Sequence, residues 1–356
     1  MNENSIGSRI ALLRKKAGLT QNELADKLLI SNKAVSKWES DAGNPSLELI
    51  IKLAEVFGCS LDYLVLGLTN DTKYKKYVDE VSLYIGKDIN DQPFNKTLNQ
   101  IVHSLIVGQT GSGKSNLLHG IINQIVTEYN PDAVKLALID CKRVEFDLYN
   151  NLPHLHSPIS KTYQDAFILL NKLVKELERR FDLFVANEVT NIKYFNKLNK
   201  QEKLPFILVI IDEVAELLYH KNKSCLNSII RLLQLGRAVG IHLFIATQRP
   251  TIESLINSIS NNTPTRVLFK LDDINLQNII LKTPKSKTDL NMGQCLFKLS
   301  SMNEPLLLSC EYHSLNSIKK MLIDNKIERA ENFNKITMEE IVKSGVEIHI
   351  NSEDTD

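Results

Sequence analysis

Net charge is nearly absent from this chain of 356 residues, in which 43 lysines and arginines face 42 aspartates and glutamates. That balance excludes a protein that holds polyanions by bulk charge, so any nucleic-acid surface must be local. Cysteine is sparse too. Cys59, Cys141, Cys225, Cys295 and Cys310 fall without CxxC spacing, against a zinc site or disulfide framework and in favour of a reducing, cytoplasmic setting. No apolar run approaches the roughly 18 residues that a membrane-spanning helix needs. The opening MNENSIGSRIALLRKK has no apolar signal core. The longest apolar runs, such as FILVII, have the length of buried strands. A cytoplasmic protein with no membrane span of its own is expected.

With 43% hydrophobic and 24% charged residues, the chain can build a sizeable core, and its length suits a large domain with a smaller one. Residues 1–67 are dense in short amphipathic helical patterns. Residues 68–100 are polar and rich in Asn and Asp, with one strand-like stretch, VSLYIG, read as a linker and lead-in strand. Across 101–312 apolar strands (HSLIV, VKLALID, FILVIID, HLFIAT, TRVLFK) alternate with longer helical segments. This pattern predicts an α/β core, a mainly parallel sheet with helices on both faces, behind a small all-α domain. QCLFKL and PLLLSCEY are expected to add a final edge pair. Residues 313–356 read as a helical extension ending in an acidic tail.

The stretch GQTGSGKS, from Gly108 to Ser115, matches G-x-x-x-x-G-K-[ST] at each constrained position. It follows an apolar strand and opens a helix with Leu117, Leu118, Ile121, Ile122 and Ile125 on its inner face, the context that a phosphate loop requires. Backbone N–H groups of Gly108, Gln109, Thr110, Gly111, Ser112 and Gly113, and of the helix start through Asn116, are placed to curl around phosphate oxygens. Lys114 would reach the β- and γ-phosphates of ATP, and Ser115 would ligate Mg²⁺. FILVIIDE supplies the second acidic site. Asp212 would help to hold Mg²⁺, and Glu213 would orient or deprotonate the attacking water.

Beyond these motifs, LALIDCKRVEFDLYNNLPHL, KELERRFDLF, LPFILVIIDEVAELL, GRAVGIHLFIATQRP and NTPTRVLFKL resemble, in order, the motor domain of FtsK/SpoIIIE-type DNA translocases. The resemblance implies a RecA-like ATPase core that assembles as a ring, usually hexameric, around double-stranded DNA. It implies that Arg237 is offered to the neighbouring subunit's ATP and that Gln248 senses the γ-phosphate. Two departures stand out. Where the family often carries Ser-Ser-Lys, this chain reads KLDDIN, with Ile274 at the lysine position, so that either Lys270 compensates or the site offered to the neighbour has a single cation. A glycine-rich family segment is replaced by KTPKSKTDLNMG, which keeps Gly293. The family's winged-helix DNA reader and membrane-spanning N-terminus have no counterpart in the sequence.

The segment from Ile6 to Gly67 resembles Cro/repressor-type (XRE-like) helix-turn-helix domains. Thr20 and Glu23 have capping-box spacing, with Leu24, Ala25 and Leu28 facing inward. Ser31 is expected to cap the next helix, with Ala34, Val35 and Trp38 as its buried stripe. That leaves Asn32, Lys33, Ser36 and Lys37, with Ser31 itself, on the face that meets DNA, and Gln21 for a phosphate contact. The combination points to an ATP-driven duplex DNA translocase of a mobile element, plasmid or phage, with DNA transfer by conjugation or mobilisation as the preferred process and conjugation or replication proteins as partners. Two other readings of the same motifs stand: a replication initiator or helicase loader, and a transcription regulator that uses the ATPase core as an oligomerisation switch.

Overall fold

Two compact units divide the chain, the first ending at Lys75 and the second beginning at Lys76. The computed structural model describes residues 5–57, 59, 61–66, 80–199, 202–220, 223–248, 253–283 and 289–324.

The first unit is helical: α1 (Ile6–Lys16), α2 (Gln21–Leu28), α3 (Asn32–Glu39), α4 (Leu47–Phe57) and α5 (Leu61–Leu66). At the head of α2 the Thr20 hydroxyl accepts the Glu23 N–H at 3.2 Å and the Glu23 carboxylate accepts the Thr20 N–H at 2.7 Å. Two otherwise orphaned donors are thereby satisfied, and the helix start is fixed. Leu29, at φ 56°, ends α2 in a left-handed turn that leads directly into α3. Leu24, Ala25, Leu28, Val35 and Trp38 are buried with Ile10, Leu53, Ala54 and Leu64, so Trp38 belongs to the core. Ser31 does occupy the position before α3, but its side chain makes no capping hydrogen bond.

In the second unit the strands are β1 (Ser82–Lys87), β2 (Pro93–Thr97), β3 (Ser104–Val107), β4 (Val134–Ile139), β5 (Phe206–Ile211), β6 (Ile241–Thr247), β7 (Thr265–Leu268), β8 (Gln294–Leu299) and β9 (Leu306–Ser309). They form one sheet in the order β2-β1-β9-β8-β7-β3-β6-β5-β4. The run β7-β3-β6-β5-β4 is parallel, and β8, β9, β1 and β2 continue it with antiparallel pairs. Parallel strands must be covered on both faces. Every residue of β5 and β6 is accordingly buried.

The helices are α6 (Leu98–Ile101), α7 (Lys114–Glu128), α8 (Tyr163–Ala186), α9 (Ile192–Leu198), α10 (Ala215–Leu218), α11 (Ser224–Val239), α12 (Glu253–Asn262), α13 (Ile274–Leu281) and α14 (Leu315–Asp324). From β3 the chain crosses outward through α7 to β4, then returns stepwise through α8, α11 and α12. Right-handed crossovers in opposite directions put α7 on one face of the sheet and the returning helices on the other. The reversal leaves an open crevice at the C-terminal ends of β3, β6 and β5, where such sheets place ligands.

Two sequence expectations change. β8 and β9 are interior, not an edge pair, because the lead-in strand β1 pairs with β9 through Lys87 and Ser309. The lead-in is thus part of the sheet. Ile318 and Leu322 of α14 are likewise buried in the same core, so the first helix of the C-terminal extension is part of the ATPase unit.

Candidate functional site

The phosphate loop is tied down by two distant segments of the chain. The Gln109 N–H donates to the Lys270 carbonyl at 2.9 Å, and the Gly293 N–H donates to the Ser112 carbonyl at 3.0 Å. Gly111 and Gly113 take φ of 74° and 119°, backbone that a side chain disfavours. A Cβ on Gly113 would also come within 3.1 Å of the Gly293 Cα. Gly293 therefore shapes the loop from a distant segment.

Lys114 is 4% exposed, and its ammonium donates to the Gly108 carbonyl at 2.5 Å and the Gln109 carbonyl at 3.0 Å. Burial lowers its pKa to about 8, against the pull of Glu213 and Asp212. The loop's own carbonyls thus occupy the ammonium that phosphate oxygens would otherwise take. Asn116 is turned elsewhere: its amide donates to the Glu311 carbonyl and its oxygen accepts the His313 N–H at 2.6 Å. As a phosphate contact only its backbone N–H fits; its side chain ties α7 to the 311–313 segment.

β5 and β6 run in register, Ile211 beside Ile245, which brings Glu213 against the end of β6. Its carboxylate accepts the Thr247 hydroxyl at 2.6 Å and the Gln248 backbone N–H at 2.9 Å, with the Lys142 ammonium at 3.4 Å. The Gln248 side-chain oxygen in turn accepts the Thr110 hydroxyl at 2.6 Å. Gln248 therefore links the phosphate loop to the carboxylate by side chain and backbone together. Thr247 and Lys142 escaped sequence reasoning, although both sit at or just beyond the C-terminal ends of predicted strands.

Asp212 is 4% exposed. Burial first, then Glu145 and Asp140, push its pKa up to about 7, with Lys142 opposing. Asp140 accepts the Glu145 and Phe146 N–H groups through one oxygen, while its other oxygen is buried without a hydrogen-bond partner. Ser115 hydrogen-bonds the Glu145 carboxylate, which His119 also engages. Carboxylates and a hydroxyl thus gather in a recess beside the loop, together with the His119 imidazole and the Lys142 ammonium. It suits Mg²⁺, a hard cation held through one or two protein oxygens plus phosphates and water; Ser115 and Asp212 are the residues that can hold it.

The raised Asp212 pKa gives a pH prediction. The unfolded aspartate titrates near 3.8, so the folded state binds the proton more tightly. Nucleotide-free protein should lose stability as pH rises from about 4 to about 7 and hold that loss above, by at most about 4 kcal/mol. Asp212→Asn should remove this component. Thermal melts of both proteins across the window check it: their Tm difference should widen with pH, and a constant difference would contradict the assignment.

Arg237 does not join this cluster. It lies exposed in the last turn of α11, ahead of β6, whose seven residues separate it from the loop by roughly 20 Å of strand. Lys270 follows β7 at the loop end of the sheet, so it does not accompany Arg237. In the helical unit, Asn32, Lys33, Ser36 and Lys37 are exposed, as is Ser31. Gln21 donates its amide to Glu39 at 2.8 Å, beside the Arg14–Glu39 ion pair at 2.6 Å, which occupies the side chain in this arrangement.

The profile of the FtsK/SpoIIIE family matches residues 65–252, more than half of the chain. The chain belongs to the FtsK/SpoIIIE family. A helix-turn-helix profile matches residues 10–64. The DNA translocase FtsK of Staphylococcus aureus is 39% identical over 228 residues, 62% of this chain and 29% of its own. That of Oceanobacillus iheyensis is 33% identical over 268 residues, 73% and 34% respectively. The chain thus spans about a third of the length of these FtsK/SpoIIIE relatives. Among solved structures, the pCW3 conjugation coupling protein TcpA with ATPγS aligns at a TM-score of 0.59 and 27% identity, over 70% of this chain and 74% of that one. Domains of EssC from Geobacillus thermodenitrificans share the fold at a TM-score of 0.61 and 20% identity, over 70% and 49%. Family membership makes this a phosphate-loop ATPase core, and among the described residues no helix is long and apolar enough to cross a membrane.

Proposed function

We propose that the chain is an ATP-dependent translocase of double-stranded DNA, loaded through its helix-turn-helix unit and acting in transfer of a mobile element, as a conjugation coupling ATPase does. The observation that carries this reading is the continuous bonding path from Thr110 through Gln248 to Glu213, which couples occupancy of the loop to the carboxylate that faces it. ATP would seat on the backbone of Gly108–Ser115, with Lys114 released from its loop carbonyls to the phosphates. Glu213, held by Thr247 and Gln248, would orient water and take its proton. Mg²⁺, when bound, would neutralise charge on the transferred phosphoryl group. Arg237 lies too far from its own loop and would serve a neighbouring copy, favouring a ring, expected to be hexameric. The TcpA likeness favours conjugative transfer over replication or regulation.

Steady-state ATP hydrolysis tests it. Duplex DNA should stimulate turnover, and stimulation should rise with duplex length. Stimulation independent of length, or none at all with DNA binding intact, would contradict translocation and favour the regulatory switch. The reader unit carries its own prediction. Lys33→Ala or Lys37→Ala should weaken DNA binding and reduce the salt slope by about one unit each. Fluorescence anisotropy over a salt series measures it, and an unchanged slope would remove that lysine from the interface.

A further inference from the structure

Two thiols touch at the end of β8 and β9 that faces the phosphate loop. Cys295 of β8 lies opposite Leu308 of β9, and Cys310 follows two residues beyond Leu308, so both side chains project from one face of the sheet. Their sulfurs stand 3.8 Å apart. Cys295 is fully buried, whereas Cys310 is only partly so and lines a cavity of about 330 Å³ with Tyr84, Asn116, Gln124 and His313.

The backbone beside this pair is what shapes the nucleotide site. The Cys310 N–H donates to the Gly293 carbonyl at 2.9 Å, and the Gly293 N–H donates to the Ser112 carbonyl at 3.0 Å. Next to Cys310, the Glu311 carbonyl accepts the Asn116 amide, and the His313 N–H donates to the Asn116 side-chain oxygen at 2.6 Å. Two bonded paths therefore run from Cys310, one to the phosphate loop and one to the start of α7. The first has little slack, since a Cβ on Gly113 would come within 3.1 Å of the Gly293 Cα.

We propose that Cys295 and Cys310 are a modification site for hydrogen peroxide, forming a reversible disulfide that weakens ATP binding at the phosphate loop. The sulfurs must close from 3.8 Å to about 2.0 Å, which draws the start of β8 and the end of β9 together and displaces Gly293 and the 311–313 segment. The oxidant meets Cys310 first. Cys310 lines the cavity, whereas the hydrogen bond with Cys310, followed by burial, pushes the Cys295 pKa well up and keeps that thiol protonated. The Cys310 thiol gives two electrons to the peroxide, keeps one oxygen as a sulfenic acid and releases water. The Cys295 sulfur then attacks the Cys310 sulfur. The S–S bond forms, the S–O bond breaks, and the hydroxyl leaves with the Cys295 proton as a second water. A dithiol reductant reverses the change and becomes a disulfide itself. The inference rests on nucleotide binding at the loop and is independent of translocation.

Lys298 separates the two cysteines in the sequence, so trypsin leaves them on two peptides that the disulfide would join. The test treats the full chain with hydrogen peroxide, blocks the remaining thiols, and pairs mass spectrometry with titration of a fluorescent ATP analogue. The joined peptide should appear and affinity should fall about tenfold, within the usual range of coupling between two sites. Dithiothreitol should restore both. Coupling is reciprocal, so saturating ATP should make the disulfide easier to reduce in glutathione buffers, by about 30 mV for that tenfold. Cys310→Ser, at the partly exposed position, should keep the affinity of the reduced protein and lose the response to peroxide. An unreacted pair, Cys310 carried only to sulfinic acid, or a joined peptide with unchanged affinity overturns the inference. So does an affinity loss that persists in Cys310→Ser, which would move the oxidised site to Cys59, Cys141 or Cys225. Failure of the reduced protein to bind the analogue would sink the reading of the loop itself, and this inference with it.

Discussion

Lys114→Ala is expected to lower ATP turnover by about 10²–10³-fold and to weaken nucleotide binding with it. The ammonium is buried and bonded to the Gly108 and Gln109 carbonyls. Phosphate oxygens would compete for the same donors. Losing a preorganised charge at the point where phosphoryl charge develops removes transition-state stabilisation of that size. Because the alanine also removes a ground-state contact, affinity should fall together with kcat. Hydrolysis assays paired with a direct nucleotide-binding titration measure both. A variant that turns over ATP within tenfold of wild type would show that the chemistry lies elsewhere.

Glu213→Gln should separate what Lys114→Ala couples. The amide keeps the length of the side chain and can still accept from Thr247 or Gln248, so the nucleotide should bind with nearly unchanged affinity. What disappears is a carboxylate able to take a proton from water. General-base loss lowers kcat by about 10²–10⁴-fold, so ATP-bound protein should accumulate. Single-turnover hydrolysis with filter binding distinguishes the cases. Tight ATP retention without cleavage supports the assignment, whereas wild-type cleavage would transfer the base role to another group.

The parts of the site that depend on local chain geometry were legible in the sequence. The Gly108–Ser115 loop, the Thr20–Glu23 capping box and the inner face of α7 each follow from residues a few positions apart, and each appears where the spacing puts it. What escaped depends on long-range register. The sequence does not announce that Lys87 meets Ser309 and brings the lead-in strand into the sheet. Nor does it announce that Gly293 closes on Gly113, or that Thr247 and Gln248 cradle Glu213; these follow from the pairing of β5 with β6 and from a loop about 180 residues downstream of the glycine it touches. Asn116 is a further case: the sequence suggested a role for its backbone N–H at the helix start, whereas the capture of its side chain by the 311–313 segment could not be read from the motif.

The same distinction explains Arg237. It was visible as a residue of GRAVGIHL, but its separation from the loop emerges only when the strands are paired.

Hydrolysis is proposed to move the protein along duplex DNA. Displacement of a third strand from one end of a long duplex measures it most directly, with full-length protein, ATP and Lys114→Ala as the control. ATP-dependent displacement is expected, with a delay that grows with the distance between loading region and triplex, and none is expected with Lys114→Ala. Vigorous duplex-stimulated hydrolysis with the triplex left in place would contradict it, and would make the ATPase core a switch that responds to DNA without travelling on it.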